Sequence, residues 1–196
     1  MRRIILGLTA VCWTSVLSGQ AGTHFGLGVG PTFPVGEYHA DQVGDGFNVG
    51  WQGMAFLEFA PVRSVSPFAI RLEGLYGENT ANQALRDDLS FANGFPVDAT
   101  MRLVGGSLDV RFHSRRGRRR GAGYLIGGIG IMSATFHVSG AGQTNDSSET
   151  NFTWNAGVGV SFPGRVGLFI EARYMHVGDI QGVGTNYVPV MLGVRF

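Results

Sequence analysis

The last ten residues, Tyr187 to Phe196, alternate without interruption: Val188, Val190, Leu192, Val194 and Phe196 take one parity, and Pro189, Met191, Gly193 and Arg195 the other. A side-chain period of two belongs to an extended strand; a helix, with a period of about 3.6, cannot turn it into an apolar stripe. A strand with one apolar face needs partners on both edges, because a bare edge is a template for aggregation. The rest of the chain must supply those partners.

The same alternation recurs upstream in seven segments, at about 23–36, 46–60, 67–78, 99–113, 122–137, 151–162 and 166–176. In the first, Phe25, Leu27, Val29, Phe33 and Val35 oppose Gly26, Gly28, Gly30 and Thr32. The second sets Phe47, Val49, Trp51, Ala55, Leu57 and Phe59 against Asn48, Gln52, Met54 and Glu58. The third sets Phe68, Ile70, Leu72 and Tyr76 against Arg71 and Glu73. The fourth sets Val104, Leu108, Val110 and Phe112 against Ser107, Asp109 and Arg111. The fifth, diluted by glycine, is expected to carry Tyr124, Ile126, Met132 and Phe136 on its apolar face. The sixth opposes Phe152, Trp154, Val158, Val160 and Phe162 to Thr153, Asn155 and Ser161; the seventh opposes Leu168, Ile170, Ala172 and Tyr174 to Glu171 and Arg173. Short joins (61–66, 114–121, 163–164) alternate with long ones, the longest from about Glu78 to Asp98. The fold class that follows is all-β, an eight-stranded antiparallel up-and-down transmembrane barrel.

Composition bears on which face looks outward. Alternation alone also suits a soluble lipocalin-like barrel, in which the apolar face lines a cavity and the charged face meets water. Charged residues are only 15% of the chain, too few for an ordinary soluble surface. All 15 basic residues are Arg; the absence of Lys also removes a phosphate-loop lysine and a Schiff-base lysine. Aromatic residues fall at both ends of the apolar faces, as interfacial girdles do. Phe25, Phe59, Phe68, Phe112, Tyr124, Phe162 and Phe196 are expected in the inner girdle, and Phe33, Phe47, Tyr76, Phe136, Phe152, Tyr174 and Tyr187 in the outer one.

Arg2 and Arg3, an apolar run from Ile4 to Val16 and the small-x-small Gly19-Gln20-Ala21 read as a secretory signal over 1–21, leaving 22–196 as one barrel domain. The only cysteine, Cys12, lies in that leader, so no disulfide is expected. Removing Arg2 and Arg3 leaves 13 Arg against 14 acids, a net charge of −1, which points away from nucleic acid as a partner.

The alternating terminal strand ending in Phe196 resembles the C-terminal strand of small bacterial outer-membrane β-barrels of the OmpA/OmpX type, and the resemblance covers nearly the whole chain. It implies localisation in the bacterial outer membrane after export through the periplasm. It also implies that Val188, Val190, Leu192, Val194 and Phe196 form the signal read by the barrel-assembly machinery. Outer-membrane lipid, both lipopolysaccharide and phospholipid, is the expected surrounding partner, and the barrel is expected to be a monomer. No peptidoglycan-binding domain is expected after it.

Charges sort onto this topology. Glu58, Arg71, Glu73, Arg102, Asp109, Arg111, Glu171, Arg173 and Arg195 are expected to form a paired network in the lumen, since a lone buried charge costs several kcal/mol. Arg115, Arg116, Arg118, Arg119 and Arg120 form a basic inner turn suited to anionic headgroups. The long loops are acidic, with Glu37, Asp41, Asp45, Glu78, Asp87, Asp88, Asp98, Asp146, Glu149 and Asp179 against Arg86 alone.

Candidate chemistry is sparse. Barrels that remove lipid A acyl chains use His, Ser and an acid in the last strands; here His176 has Glu171 and Asp179 nearby but no Ser beside it. His39, Asp41, Ser147 and Ser148 make a weaker loop set. The five histidines (His24, His39, His113, His137, His176) show no metal-ligand spacing. No catalytic residue, cofactor or metal is therefore assigned. The expected function is a non-enzymatic structural or surface-interaction barrel with acidic outer loops. A narrow pore for small solutes and a lipid A-modifying enzyme are the alternatives.

Overall fold

The computed structural model describes residues 22–36, 46–60, 67–113, 121–180 and 183–196. Eight strands, β1 (Thr23–Val35), β2 (Gly50–Phe59), β3 (Phe68–Thr80), β4 (Val97–His113), β5 (Ala122–Gly140), β6 (Gln143–Phe162), β7 (Gly167–Ile180) and β8 (Val183–Arg195), pair in sequence order. The sheet closes where β1 meets β8, so the barrel has no edge along its closed part. At this seam the Phe196 backbone N–H donates to the Phe25 carbonyl at 2.8 Å, and the two rings stack with centroids 6.4 Å apart.

The seam depends on glycine. A Cβ at Gly30 would sit 1.8 Å from the Val190 carbonyl oxygen, and one at Gly193 would sit 2.3 Å from the Leu27 carbonyl oxygen. Glycine also leaves lumen volume for large neighbours: a Cβ at Gly26 would meet the Phe56 ring at 2.1 Å. The lumen face of β1 is thus almost bare, and Phe56 and Phe169, edge to face at 5.6 Å, fill the space it leaves.

Several sequence expectations need correction. The parity of β5 is opposite to the one expected: Tyr124, Ile126 and Met132 are buried in the lumen, while Leu125, Ile129 and Ile131 point outward. Phe136 follows the same parity and packs edge to face on Phe47, 6.1 Å away. Phe47, expected in the outer girdle, precedes β2 in a single bridge to Ala81 and is buried with the lumen residues. Tyr187 is fully buried in the lumen. The remaining girdle residues do face outward, and Trp51 and Trp154 join Tyr76 and Tyr174 at the outer level.

The outer end is also more ordered than a set of loops. β5 and β6 run on to a two-residue turn, Ala141-Gly142, in which both residues have positive φ (48° and 78°). Such paired left-handed residues match the twist of a hairpin. Asp98, Asp146, Glu149 and Asp179 therefore stand on strands rather than in loops, as does Glu78. The longest join contains a helix, α1 (Gln83–Asn93). Asn82 caps it by accepting from the Leu85 N–H at 2.9 Å, and Gly94 ends it in the left-handed region. Leu85 and Leu89 pack on the outer end of the buried cluster. The leader, the basic turn Arg115–Arg120 and Glu37, His39, Asp41 and Asp45 lie outside the described residues.

Candidate functional site

Inside the barrel the side chains fall into two tiers. The tier near the termini is ionic. Arg173 on β7 reaches across to β3, donating through Nη2 and Nη1 to Glu73 at 2.6 and 3.0 Å, and through Nε to Glu171 at 2.6 Å. Arg71 on β3 donates to Glu171 at 3.1 Å and to Glu58 at 3.3 Å. Arg111 holds Glu58 at 2.7 Å, and Arg195 holds its other oxygen at 3.1 Å. Asp109 accepts from Asn155 at 2.7 Å and Ser107 at 2.9 Å, with Arg173 at 3.4 Å.

Aromatic faces complete the shell. The Arg71 guanidinium lies 3.9 Å from the centroid of Phe56, and Arg111 lies 4.0 Å from that of Tyr124. The Tyr124 hydroxyl in turn donates to Glu171 at 2.7 Å. Four carboxylates (Glu58, Glu73, Asp109, Glu171) face four guanidiniums (Arg71, Arg111, Arg173, Arg195), so the tier carries no formal charge. Arg71, Asp109 and Glu171 have no solvent exposure at all.

On the outer side the second tier is mainly apolar, with Thr32, Gln52, Asn79 and Thr185 also buried there. Met54, Leu75, Met101, Leu103, Met132, Met175, Val177 and Met191 pack there, each at most 5% exposed. Phe47, Leu85 and Leu89 close its top.

Eight of the nine residues expected in the lumen network are brought together. Arg102 is the exception. It shares the outward parity of Val104 and Leu108, is half exposed, and meets Glu78 only at 3.9 Å. Tyr124, Ser107 and Asn155 belong to the network although sequence reasoning did not place them there as partners.

The catalytic candidates do not assemble. Glu171 points into the lumen, whereas His176 points outward, with its Nδ1 2.7 Å from the Asn186 side-chain oxygen and its ring 5.7 Å from Trp154. Asp179 lies past an irregularity in the β7–β8 ladder, beside the positive-φ Gly178. His137 does hydrogen-bond Asp146 across the β5–β6 hairpin, but the Ser148 hydroxyl is engaged with Ser133 and Thr135 at 3.2 Å each. No group of three or more His, Cys, Asp and Glu suited to a metal ion occurs among the described residues.

A closed eight-stranded sheet with an apolar outward face, aromatic girdles and a filled ionic lumen is the geometry of a bilayer-spanning barrel. A model of the outer membrane protein β-barrel domain family matches residues 4–196. The chain belongs to that family. Solved members of the fold include the attachment invasion locus protein of Yersinia pestis in complex with the heparin analogue sucrose octasulfate. It is 17% identical, covers 90% of this chain and 100% of its own, and has a TM-score of 0.53. Neisserial surface protein A is 14% identical over 89% of this chain and 96% of its own, with a TM-score of 0.59. A major outer membrane protein from Thermus thermophilus is 12% identical over 90% and 99%, with a TM-score of 0.59. No curated protein matches the chain. This outer-membrane barrel therefore shares its architecture with these proteins at low identity, and its own side chains must carry any finer reading.

Proposed function

We propose that this barrel is a closed, non-enzymatic post that presents its outer end for surface interaction. The observation that carries the reading is the contrast between its two ends of exposure. Inside, the ionic tier is paired and the methionine-rich tier above it is packed. Outside, residues 143–150 of β6 are all exposed, and α1 presents Asp87 and Asp88 beside Phe91, which is 91% exposed. Attachment is what the name of the Yersinia pestis protein states, and only the class of role is carried over. The outer surface here is acidic, with Glu78, Asp87, Asp88, Asp98, Asp146, Glu149 and Asp179 against Arg86 and Arg102, so a neutral or basic contact surface suits it better than a polyanion.

Assembly through the terminal strand, insertion as a monomer and a shell of lipopolysaccharide and phospholipid complete the proposal. Planar-bilayer recording on the purified, folded barrel tests it. The expected record is flat. Discrete openings whose conductance changes on charge reversal at Glu73 or Arg111 would replace this reading with a pore. Loss or gain of an acyl chain on lipid A in expressing cells would replace it with an enzyme.

A further inference from the structure

The bilayer accounts for the large apolar side chains that the outer half of this barrel leaves exposed, because they follow the outward parity of the strands. Phe91 is the exception among the described residues. It stands on α1 and is 91% exposed, where the next most exposed large apolar side chain, Ile131 on the lipid-facing wall of β5, reaches 65%.

α1 is fastened by its other side. Leu85 and Leu89 pack on the buried cluster at the outer end of the barrel. The Ser90 hydroxyl donates to the Arg86 carbonyl at 2.6 Å and accepts from the Val97 N–H at 3.0 Å, which ties the helix to the first residue of β4. Arg86 adds a contact to Asp98 at 3.4 Å. At about 100° per residue, Asp87, Asp88 and Phe91 turn away from Leu85 and Leu89. Both carboxylates lie one turn before the ring, at the spacings that make helix neighbours, and both are exposed. The ring is therefore held out on a fixed helix beside two carboxylates, not on a loop that could fold it back.

That frame selects among occupants. The ring cannot enter the bilayer without drawing Asp87 and Asp88 out of water with it, which costs far more than the ring gains. A polyanion would meet the same two carboxylates. A second copy of this chain offers no complement. At its outer end, among the described residues, the only arginines are Arg86 and Arg102, and each already lies beside an acid, at 3.4 and 3.9 Å. What does fit is a protein surface with an apolar pocket for the ring and Lys or Arg around it. An aromatic anchor filling a pocket inside a polar rim is how protein interfaces concentrate their affinity. A helix that is already ordered loses little entropy when it docks.

We propose that the outer face of α1 is a docking site for a basic protein, with Phe91 seated in an apolar pocket of that protein and Asp87 and Asp88 paired with lysines or arginines on its rim. The inference rests on the surface-interaction reading and narrows it to one helix and one class of partner.

The test presents the full folded barrel in phosphatidylcholine nanodiscs to a phage-displayed library of random peptides, with empty nanodiscs as counter-selection. Enriched peptides are synthesised, and their affinities are measured for the parent, for Phe91→Ala and for Asp87→Asn with Asp88→Asn. Heat-dependent gel mobility confirms that each variant is folded. The enriched peptides are expected to combine Lys or Arg with aliphatic or aromatic residues. Their affinity is expected to fall about tenfold with Phe91→Ala and several-fold with the double Asn variant. It is expected to fall also at about 1 M salt, where charges are screened beyond about 3 Å. Peptides that bind Phe91→Ala as tightly as the parent put the contact elsewhere on the outer end and overturn the inference, leaving the surface-interaction reading intact. Enrichment of acidic peptides overturns it as well, by reversing the class of partner. No enrichment over empty nanodiscs overturns both readings. A spin label on Phe91→Cys that is relaxed more by oxygen than by an aqueous nickel chelate would place this position in the bilayer and overturn the inference alone.

Discussion

Replacing Arg173 by Met is the most demanding test of the ionic lumen. The guanidinium makes contacts of 2.6 and 3.0 Å to Glu73 and 2.6 Å to Glu171. Without it the tier holds four carboxylates against Arg71, Arg111 and Arg195, a net −1 in a space that water does not reach. Methionine keeps most of the volume, so the loss is electrostatic rather than a cavity. Breaking a buried pair by removing one partner costs about 3–5 kcal/mol, because the other charge is left uncompensated. The second change, Glu73→Gln on top of Arg173→Met, removes the stranded charge and is expected to recover about half of that or more. Urea unfolding of the barrel in lipid vesicles, followed by heat-dependent gel mobility, reads both values. A loss below about 1 kcal/mol for the single variant, of the size seen for solvent-screened pairs, would falsify the dry-network description. So would a double variant no more stable than the single one.

Other changes probe separate parts of the barrel. Gly159→Ala places a Cβ 2.3 Å from the Tyr124 ring, whose hydroxyl holds Glu171; a loss of about 1–3 kcal/mol is expected in the same unfolding assay. Gly30→Ala drives a Cβ against the Val190 carbonyl at the β1–β8 seam, so the folded, heat-modifiable band is expected to fall sharply. Ala141→Asn suits the positive φ of 48° and the following Gly142, and is expected to raise amide-exchange protection of the β5–β6 hairpin by up to about 1 kcal/mol. Asn82→Ala removes the cap on α1 and is expected to cost that helix about 1 kcal/mol, read as faster exchange at Leu85 with the barrel unchanged.

Strands with bulky residues on one face and charges on the other were legible in the sequence, as β2, β3, β6 and β7 illustrate. Where glycine dilutes the pattern the parity signal vanishes. Gly123, Gly127, Gly128 and Gly130 leave either face of β5 open to the outward role, and Tyr124 then looks like a girdle residue when it is a lumen donor. Tyr187 misled for a different reason: a lumen with an apolar tier accepts an aromatic ring as readily as the bilayer does. Arg102 misled because charge was equated with the lumen, although above the apolar belt the outward face of β4 turns polar while Ala99, Met101 and Leu103 keep its lumen face apolar. The outer part of β6, Gln143–Thr150, shows no alternation because both of its faces are exposed and polar there. The helix α1 left readable punctuation, Asn82 before it and Gly94 after it, in a segment too short and too polar on its free side to show a period. The network's membership was nearly all visible, but its pairing was not, because it runs across the lumen rather than along the ladders.

That cross-lumen pairing has a mechanical consequence. Arg71 with Glu171 and Arg173 with Glu73 join residues 100 positions apart, on β3 and β7, which lie on opposite walls of the barrel. They act as spokes. A cylinder held only by its wall flattens easily under lateral pressure, whereas one with spokes must break charged contacts to become oval. The spokes occupy only the half nearer the termini. The outer half is filled by unbranched methionine chains that can slide past one another, so its rim can flex with the surrounding leaflet while the base keeps its cross-section.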